Sequence, residues 1–366
     1  MRDYVEIGHG REARRTYRLA DISISASRRT RSSRDVDTTW NIDAYSFQIP
    51  VMSHPTDSLA APEFVKEMNR LGGLAVINAE GLWGRHVDLD GAISRIIDAG
   101  PHATQVLQEL HAVPVDFELL AQRIADIRTT DATVAVRVSP QNAREFAPQV
   151  IKAGAELLII QGTMISAEHV QEEESLNLKE FIGTLEVPVI AGGVSDYSTA
   201  MHLMRAGAVG VIVGGGTNTN ETTLGIATPM ATAIADVAAA RREYLDETGG
   251  RYVHIIADGE ISTSGEVAKA IACGADAVVL GEPLACAQEA PAQGYYWPAV
   301  AAHPRFPRGV VAAPHKEEFF PLEVLLQGPS TDASGHHNLV GGLRRAMAKC
   351  GYTDLKSFQK VGLTVS

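Results

Sequence analysis

Three short loops carry the polar residues of this chain that could do chemistry. They are Gly214–Gly225, Asp258–Glu260 and Gly281–Glu282, and each follows a short apolar run typical of a buried strand. Glycine N–H groups and hydroxyls can donate to anionic oxygens, whereas carboxylates accept hydrogen bonds from hydroxyl groups. The three loops together therefore indicate a small-molecule site.

The elements that position two of these loops form a single unit, Val253–Ala285. Its apolar runs Val253–Ala257 and Ala277–Leu280 are continuous, as strands covered on both faces require. Apolar residues between them recur at helical spacing over Val267–Ala272. The unit is predicted to be βαβ, and in barrel enzymes the loops near the last two strands often hold a substrate phosphate.

The same alternation of apolar strand segments and helical segments extends along most of the chain. Eight strands are predicted, and they alternate with helices, so a (β/α)8 TIM barrel is the favoured fold and a doubly wound open sheet the alternative. The predicted strands are Ile49–Ser53, Leu74–Asn78, Thr133–Val138, Leu157–Gln161, Val187–Ala191, Val209–Val213, Val253–Ala257 and Ala277–Leu280. The helices predicted outside the opening unit are Pro62–Leu71, Leu119–Ile127, Gln141–Ala153, Leu178–Leu185, Ser198–Ala206 and Pro229–Thr248, with room for another in Ala79–Asp131.

The predicted organisation is one α/β domain with extensions. Residues 1–48 form an N-terminal arm with a short edge strand at Asp21–Ser25, and residues 49–287 form the barrel. Residues 288–338 are a lid-like or irregular segment in which Tyr295–Trp297 could close over the site. Residues 339–366 are predicted to pack on the barrel.

The charge and composition of the chain argue against several classes of function. A net charge of −12 over 366 residues argues against a nucleic-acid or anionic-membrane surface. The three cysteines show no disulfide or metal-ligand spacing, and no apolar run is long enough to cross a bilayer. We therefore expect a cytoplasmic protein with no metal site.

Several stretches resemble the IMP dehydrogenase/GMP reductase family, and most of all its short bacterial branch of IMP dehydrogenase-related proteins. Ile49–Asp57 (IPVMSHPTD) is similar to the family's first-strand motif, and Ile190–Val194 (IAGGV) to its IAGNV motif. The Val253–Ala285 unit resembles the family's ADGGI and GADAV block, and Leu339–Gly351 (LVGGLRRAMAKCG) its MGGLR segment. The resemblance covers residues 17–358, with no room for the regulatory module that many members insert after the second strand.

The resemblance implies a purine-nucleotide oxidoreductase of the IMP or GMP type that uses NAD or NADP. In the family a cysteine after the sixth strand attacks C2 of the purine, and hydride then passes to or from the nicotinamide. The resemblance also implies a tetramer of barrels.

This chain departs from the family at the attacking cysteine. When Thr222 and Thr223 are laid on the family's two threonines, the cysteine position falls on Glu221. Aligning backwards from Pro229 places it on Asn218 instead. Neither residue can replace a thiolate, although the resemblance still places the two threonines nearest the reacting carbon.

The phosphate site departs as well. Glycine N–H groups and a serine hydroxyl hold the phosphate in the family, whereas here Glu260 follows Gly259 and Glu282 follows Gly281. One like-charge contact at ~4 Å costs on the order of 4 kcal/mol at an effective dielectric of ~20, unless the carboxylate turns away. Further backbone donors are expected from the strand-six loop at Gly214, Gly215, Gly216, Thr217 and Thr219.

Four other positions are assigned by resemblance. Asp258 matches the ribose-binding aspartate, and Thr56 the methionine beside the base. Gln161 and Gly193 match the aspartate and asparagine on the cofactor side. The scaffold motifs are kept while several chemical groups have changed.

Three hypotheses follow. The chain could be an NAD(P)-linked purine-nucleotide oxidoreductase, or a non-catalytic barrel that binds a ligand or a regulatory partner such as a related dehydrogenase. The third is a changed enzyme that receives a cationic ligand at Glu260 and Glu282.

Overall fold

Eight parallel strands form one sheet that closes on itself. The structure, a computed structural model, describes residues 4–165, 176–303, 306–315 and 318–365. The strands follow the order β1-β8-β7-β6-β5-β4-β3-β2, and a bridge between Met52 and Leu74 joins the first strand to the second. They are β1 Val51–Ser53, β2 Val76–Asn78, β3 Ala135–Val138, β4 Leu157–Gln161, β5 Val189–Val194, β6 Gly210–Gly214, β7 His254–Asp258 and β8 Ala277–Leu280. The predicted (β/α)8 barrel is confirmed.

Helices surround the barrel. The gap Ala79–Asp131 contains two helices in addition to the predicted one, and Ser264–Cys273 begins earlier than predicted because Thr263 and Glu266 form a capping box. The helices are Pro62–Arg70, Leu89–Asp98, Ala103–His111, Phe117–Arg128, Ala143–Ala153, Leu178–Gly183, Tyr197–Ala206, Asn220–Leu224, Met230–Glu247, Ser264–Cys273, Leu322–Leu326, Leu339–Lys349 and Leu355–Phe358. Within the described residues, none of these helices has the length and apolar content needed to cross a membrane.

Strand alternation divides the core into two layers. Inward-facing apolar side chains such as Ile159, Ile212 and Ile256 fill the barrel, and their neighbours along each strand pack against the helices. An antiparallel hairpin, Trp40–Ile42 with Tyr45–Phe47, joins the inner layer. The Trp40 indole donates to Nδ1 of His254 at the start of β7, so the hairpin covers the amino-terminal end of the barrel.

The N-terminal arm is fastened along the barrel wall. It starts with a hairpin of the strands Tyr4–Gly8 and Arg11–Arg14. Arg14 forms a bidentate ion pair with Asp236. The strand Ile22–Ile24 pairs with Leu363–Val365, which confirms the predicted edge strand. These contacts fix where the following residues of the arm reach the site.

The described part of residues 288–338 lies at the other end of the barrel. Tyr296 and Ala312 form an antiparallel bridge, and the buried Trp297 ring packs in a cluster with the inserted helices Leu89–Asp98 and Ala103–His111. The hydroxyl of Thr56, after β1, donates to the Trp297 carbonyl at 2.6 Å. The segment is therefore anchored on the barrel at the Tyr295–Trp297 turn.

A buried ion pair at Asp276, just before β8, ties the helix Met230–Glu247 to β7. Asp276 Oδ2 accepts from the Arg241 guanidinium at 2.6 Å and from the Ile255 N–H at 2.8 Å. Its Oδ1 accepts from the hydroxyl of Tyr252 and from the Gln359 amide. Removing the charge of one partner from a buried ion pair leaves the other charge without compensation, which is strongly destabilising.

We expect Asp276→Asn to destabilise the barrel by about 3–5 kcal/mol, because the Arg241 guanidinium would stay buried without its counter-charge. Urea unfolding followed by circular dichroism measures the change. The same carboxylate-to-amide change at Glu247, whose ion pair with Arg205 is solvent-exposed, should leave the midpoint unchanged. Equal losses for both variants would contradict the assignment.

Candidate functional site

The carboxyl ends of the strands open into a cavity of about 1350 Å³. A volume of this size exceeds the usual range of about 300–1000 Å³ for small-ligand pockets. Its floor contains His54, Asp258 and Tyr296, and its outer wall comes from the described part of residues 312–337. Gly216, Thr217, Gly259, Glu260, Gly281 and Glu282 also line it, so the structure brings most of the predicted substrate positions together.

Asp258 is buried at the cavity floor with a side-chain exposure of 4%. Its Oδ2 accepts from the Gln161 amide at 2.7 Å, and Nδ1 of His54 lies 3.8 Å from the same oxygen. His54 Nδ1 and Gln161 Oε1 are buried and have no hydrogen-bond partner within the described structure. The floor therefore presents a carboxylate and an unused imidazole nitrogen together.

A second buried polar group stands behind this floor. The Arg137 guanidinium donates twice to the carbonyl of Gln161 and once to Oδ1 of Asn78. Glu80 lies 3.8 Å from it and is its nearest counter-charge. This network holds the carboxyl end of β4, and hence Gln161, in place.

His54, Asn78 and Arg137 are polar residues of the site that were not predicted from the sequence. Each lies two residues beyond an inward-facing apolar residue: Met52, Val76 and Ala135 respectively. Because side chains alternate along a strand, counting by two from these residues marks the polar positions at the barrel mouth.

The strand-six loop requires glycine because its backbone runs very close to the carbonyl oxygens of Asp258 and Thr163. A Cβ at Gly214 would lie 2.1 Å from the Asp258 carbonyl oxygen, and one at Gly215 would lie 2.3 Å from that of Thr163. Gly216 has φ +65° and its N–H donates to the Asp258 carbonyl. The loop is thus held against β7 by its backbone, and the Gly216 N–H is not free for a ligand.

Both candidate positions of the missing cysteine make structural contacts. The Asn218 amide donates to the carbonyls of Gly215 and Gly216, and its Oδ1 accepts from the Asn220 N–H. Glu221 is exposed, and its carboxylate accepts from Arg18 of the N-terminal arm at 2.5 Å. Neither side chain is placed as a free group in the large cavity.

The threonines of this loop have separate positions. Thr222 and Thr223 lie on the short helix Asn220–Leu224, are exposed and line neither described cavity. The Thr219 hydroxyl donates to the carbonyl of Pro307, whereas Thr217 lines the large cavity. The catalytic assignment of Thr222 and Thr223 stays a prediction.

Glu260 turns towards the N-terminal arm. Its Oε2 accepts from the Leu19 N–H at 2.9 Å, and Arg18 lies 3.7 Å from its Oε1. Burial raises its carboxyl pKa, while the Leu19 N–H and Arg18 act in the opposite direction. Its backbone has φ +56°, a left-handed conformation that costs a non-glycine residue roughly 1–2 kcal/mol. Arg18 thereby links Glu260 to Glu221 across two loops.

Glu282 remains free at the start of a short 3-10 turn. It is exposed on the cavity wall, and within the described residues its side chain has no hydrogen bond or ion pair. A Cβ at the preceding Gly281 would lie 2.4 Å from the Tyr296 hydroxyl, so glycine allows that ring to approach. Burial raises the Tyr296 pKa well above its usual value, and the carboxylates of Asp258 and Glu282 add to the shift.

The cavity is strongly acidic. Among the described residues that line it, Arg18 is the only lysine or arginine, and it is already paired with two glutamates. The lining carboxylates are Asp258, Glu260, Glu266, Glu282, Glu318 and Asp332. An entering dianion would meet a negative field rather than an attractive one.

Thr56, Gln161 and Gly193 do not line the large cavity either. Thr56 is fully buried beneath Trp297. Gln161 is engaged with Asp258, and Gly193 lines a side cavity of about 130 Å³. The assignment of these two positions to the cofactor side stays a prediction.

The cysteines lie elsewhere. Cys273, on the helix before β8, has its thiol pKa raised to about 12 by burial. Cys286 follows β8, lines the large cavity and also has its pKa raised by burial. Cys286 is therefore a neutral thiol at neutral pH, which is the weakly nucleophilic form.

The backbone around Gly193 leaves no space for a side chain such as the asparagine of the family motif. A Cβ at Gly193 would lie 1.5 Å from the carbonyl oxygen of Gly214, and β5 and β6 cannot separate without breaking their ladder. We expect Gly193→Ala to lower stability by about 1–3 kcal/mol or more through overpacking. Thermal unfolding measures this. Gly183→Ala, at a position open to solvent, should have little effect, and an equally small loss at Gly193 would contradict the close packing.

Comparisons with known proteins match this architecture. The model of the IMP dehydrogenase / GMP reductase domain matches residues 16–316. Uncharacterized oxidoreductases of Mycolicibacterium smegmatis and Mycobacterium tuberculosis are each 60% identical over 99% of both chains. A crystal structure of an IMP dehydrogenase/GMP reductase-like protein from Corynebacterium glutamicum superposes with a TM-score of 0.96 at 68% identity, covering 100% of this chain and 98% of the other.

A more distant relative is the inosine-5′-monophosphate dehydrogenase of Aquifex aeolicus, 32% identical over 58% of this chain and 44% of its own length. The region that the family model matches, residues 16–316, includes the strand-six loop, the β7 loop with Asp258 and the β8 loop with Glu282. The chain belongs to the IMP dehydrogenase/GMP reductase family.

Proposed function

We propose that this chain binds a purine ribonucleoside or ribonucleotide reversibly at the barrel mouth and does not carry out the covalent step of its family. One observation carries the proposal. Both positions that could hold the attacking cysteine, Asn218 and Glu221, are engaged in contacts between loops, while Asp258 remains on the cavity floor. The ligand-binding part of the family site is kept without its nucleophile.

The thiol that lines the cavity does not replace the missing one. Cys286 follows β8, on a different loop from the family cysteine, and burial favours its protonated form. A thiol must be ionised to attack a purine ring carbon, so Cys286 is poorly suited to that role. This supports reversible binding as the function of the site.

The phosphate of a nucleotide gains little from this cavity. Glu260 is held by Leu19 and Arg18, so its charge is partly neutralised. Glu282 has no such partner within the described residues and faces the cavity. We therefore propose that the site binds nucleosides at least as tightly as the corresponding nucleotides.

A cationic ligand held between Glu260 and Glu282 is less well supported. Glu260 already accepts from the arm, so only one carboxylate of the pair is available. Within the described part of the chain, no group of three or more metal-binding side chains is found.

Calorimetric titration with IMP, GMP, XMP, inosine and guanosine tests the proposal. We expect measurable binding, and Asp258→Asn should weaken it by about 10- to 100-fold, because a hydrogen bond to a charged group contributes about 1.5–3 kcal/mol. Glu247→Gln, at an exposed carboxylate that lines neither described cavity, should bind as the unmodified protein does. No binding of any purine would contradict the proposal and direct attention to a protein partner such as a related dehydrogenase.

Turnover assays with NAD and NADPH and intact-mass spectrometry complete this test. We expect neither cofactor oxidation or reduction nor a protein–purine adduct. Sustained turnover or an adduct would contradict the non-covalent part of the proposal. The family resemblance also implies a tetramer of barrels, which light scattering on the same sample measures.

We expect Glu282→Gln to strengthen IMP binding at least about fivefold, since removing one like charge near a phosphate is worth ~1 kcal/mol even at the dielectric of water. The affinity for inosine should stay the same, because inosine carries no phosphate. Glu247→Gln again provides the charge-matched control. Equal effects of Glu282→Gln on IMP and inosine would show that the carboxylate does not face the phosphate.

A further inference from the structure

We propose that His54 determines the specificity of the site by holding one ligand hydroxyl jointly with Asp258. The inference rests on the proposed function and adds a residue to it. His54 follows β1, and its N–H donates to the Leu280 carbonyl, so its backbone is fixed between β1 and β8. Its side chain is 7% exposed and lines the cavity beside Asp258.

The unused nitrogen of His54 is the first argument. Nδ1 is buried and has no hydrogen-bond partner within the described residues. A buried polar atom without a partner costs about 1–3 kcal/mol, so a bound group that pairs with His54 Nδ1 would recover that free energy. The carboxylate that faces this nitrogen across the cavity floor is that of Asp258.

The distance between His54 and Asp258 also favours a shared hydroxyl group. His54 Nδ1 and Asp258 Oδ2 are 3.8 Å apart, which is too long for a direct hydrogen bond. One oxygen atom placed beside both can bond to each at about 2.8 Å. A hydroxyl group suits this position because it donates to the carboxylate and accepts from, or shares a proton with, the imidazole.

The space beside this pair is the third argument. A Cβ at Gly216 would lie 3.0 Å from Cε1 of His54 and 3.2 Å from Oδ1 of Asp258. Glycine at this position therefore keeps the slot between the two side chains open. On the far side, Gln161 fixes the carboxylate and the Tyr296 ring meets the imidazole edge to face at 6.3 Å between centroids.

A ribose supplies hydroxyls of this kind, and deoxy analogues identify which one is bound. Titrations compare inosine with 2′-deoxyinosine and 3′-deoxyinosine in the unmodified protein and in His54→Phe. We expect removal of the bridging hydroxyl to weaken binding about 10- to 100-fold in the unmodified protein. In His54→Phe, which keeps an aromatic ring of similar size, the same removal should cost less than about threefold.

Two further variants separate recognition from structure. His54→Asn places an amide atom near the position of Nδ1 and should restore most of the discrimination between inosine and its deoxy analogue. Gly216→Ala fills the slot and should weaken inosine binding, whereas Gly225→Ala, which has a similar positive φ but open space around it, should not. Melting temperatures confirm that each variant is folded.

The outcomes are distinct. If no purine binds the unmodified protein, both the proposed function and this inference are overturned. If inosine binds but His54→Phe keeps the full discrimination against the deoxy analogue, only the role of His54 is overturned. If neither deoxy analogue binds more weakly than inosine, the slot does not hold a ribose hydroxyl and the inference is likewise overturned.

Discussion

The closure of the barrel is the constraint on which the rest of this structure depends. Because β1 meets the segment before β2, every strand has one face inside, and every second side chain must fit within the same narrow space. Isoleucine, leucine and valine fill the lower layers, and the last inward position of several strands is polar. Polar groups can be buried at that level only when they bond to one another or to a ligand. The barrel thus determines both where the site is and how few residues can reach it.

The N-terminal arm adds a second level of organisation. Arg18 joins Glu221 on the strand-six loop to Glu260 on the β7 loop, so two loops that are independent in the barrel are held by one side chain. Glu260 adopts a left-handed backbone conformation, and its contacts with Arg18 and Leu19 oppose the cost of that conformation. A carboxylate that the sequence places in the phosphate site therefore serves as an anchor for the arm.

The fold was predicted closely from the sequence, whereas the residues of the site were predicted only in part. Continuous apolar runs identify strands covered on both faces, so the eight strands were found within a few residues of their observed bounds. Asp258 and Glu282 were placed at the cavity for the same reason, since each ends or follows a strand. The orientation of Glu260 depends on Arg18, which is more than two hundred residues away along the chain, and no local pattern encodes that contact. His54 was missed although strand alternation from Met52 points to it.

The acid-lined cavity also affects how a ligand arrives. The chain as a whole carries a net charge of −12, and the cavity concentrates six carboxylates in one cleft. Field lines focused in such a cleft slow the encounter with anions and speed the encounter with cations, and dissolved salt weakens both effects. Association of a nucleotide should therefore become faster as ionic strength rises, while a nucleoside should associate at a rate that salt hardly changes. The kinetics of entry thus report the charge of the cavity independently of the affinity of the bound state.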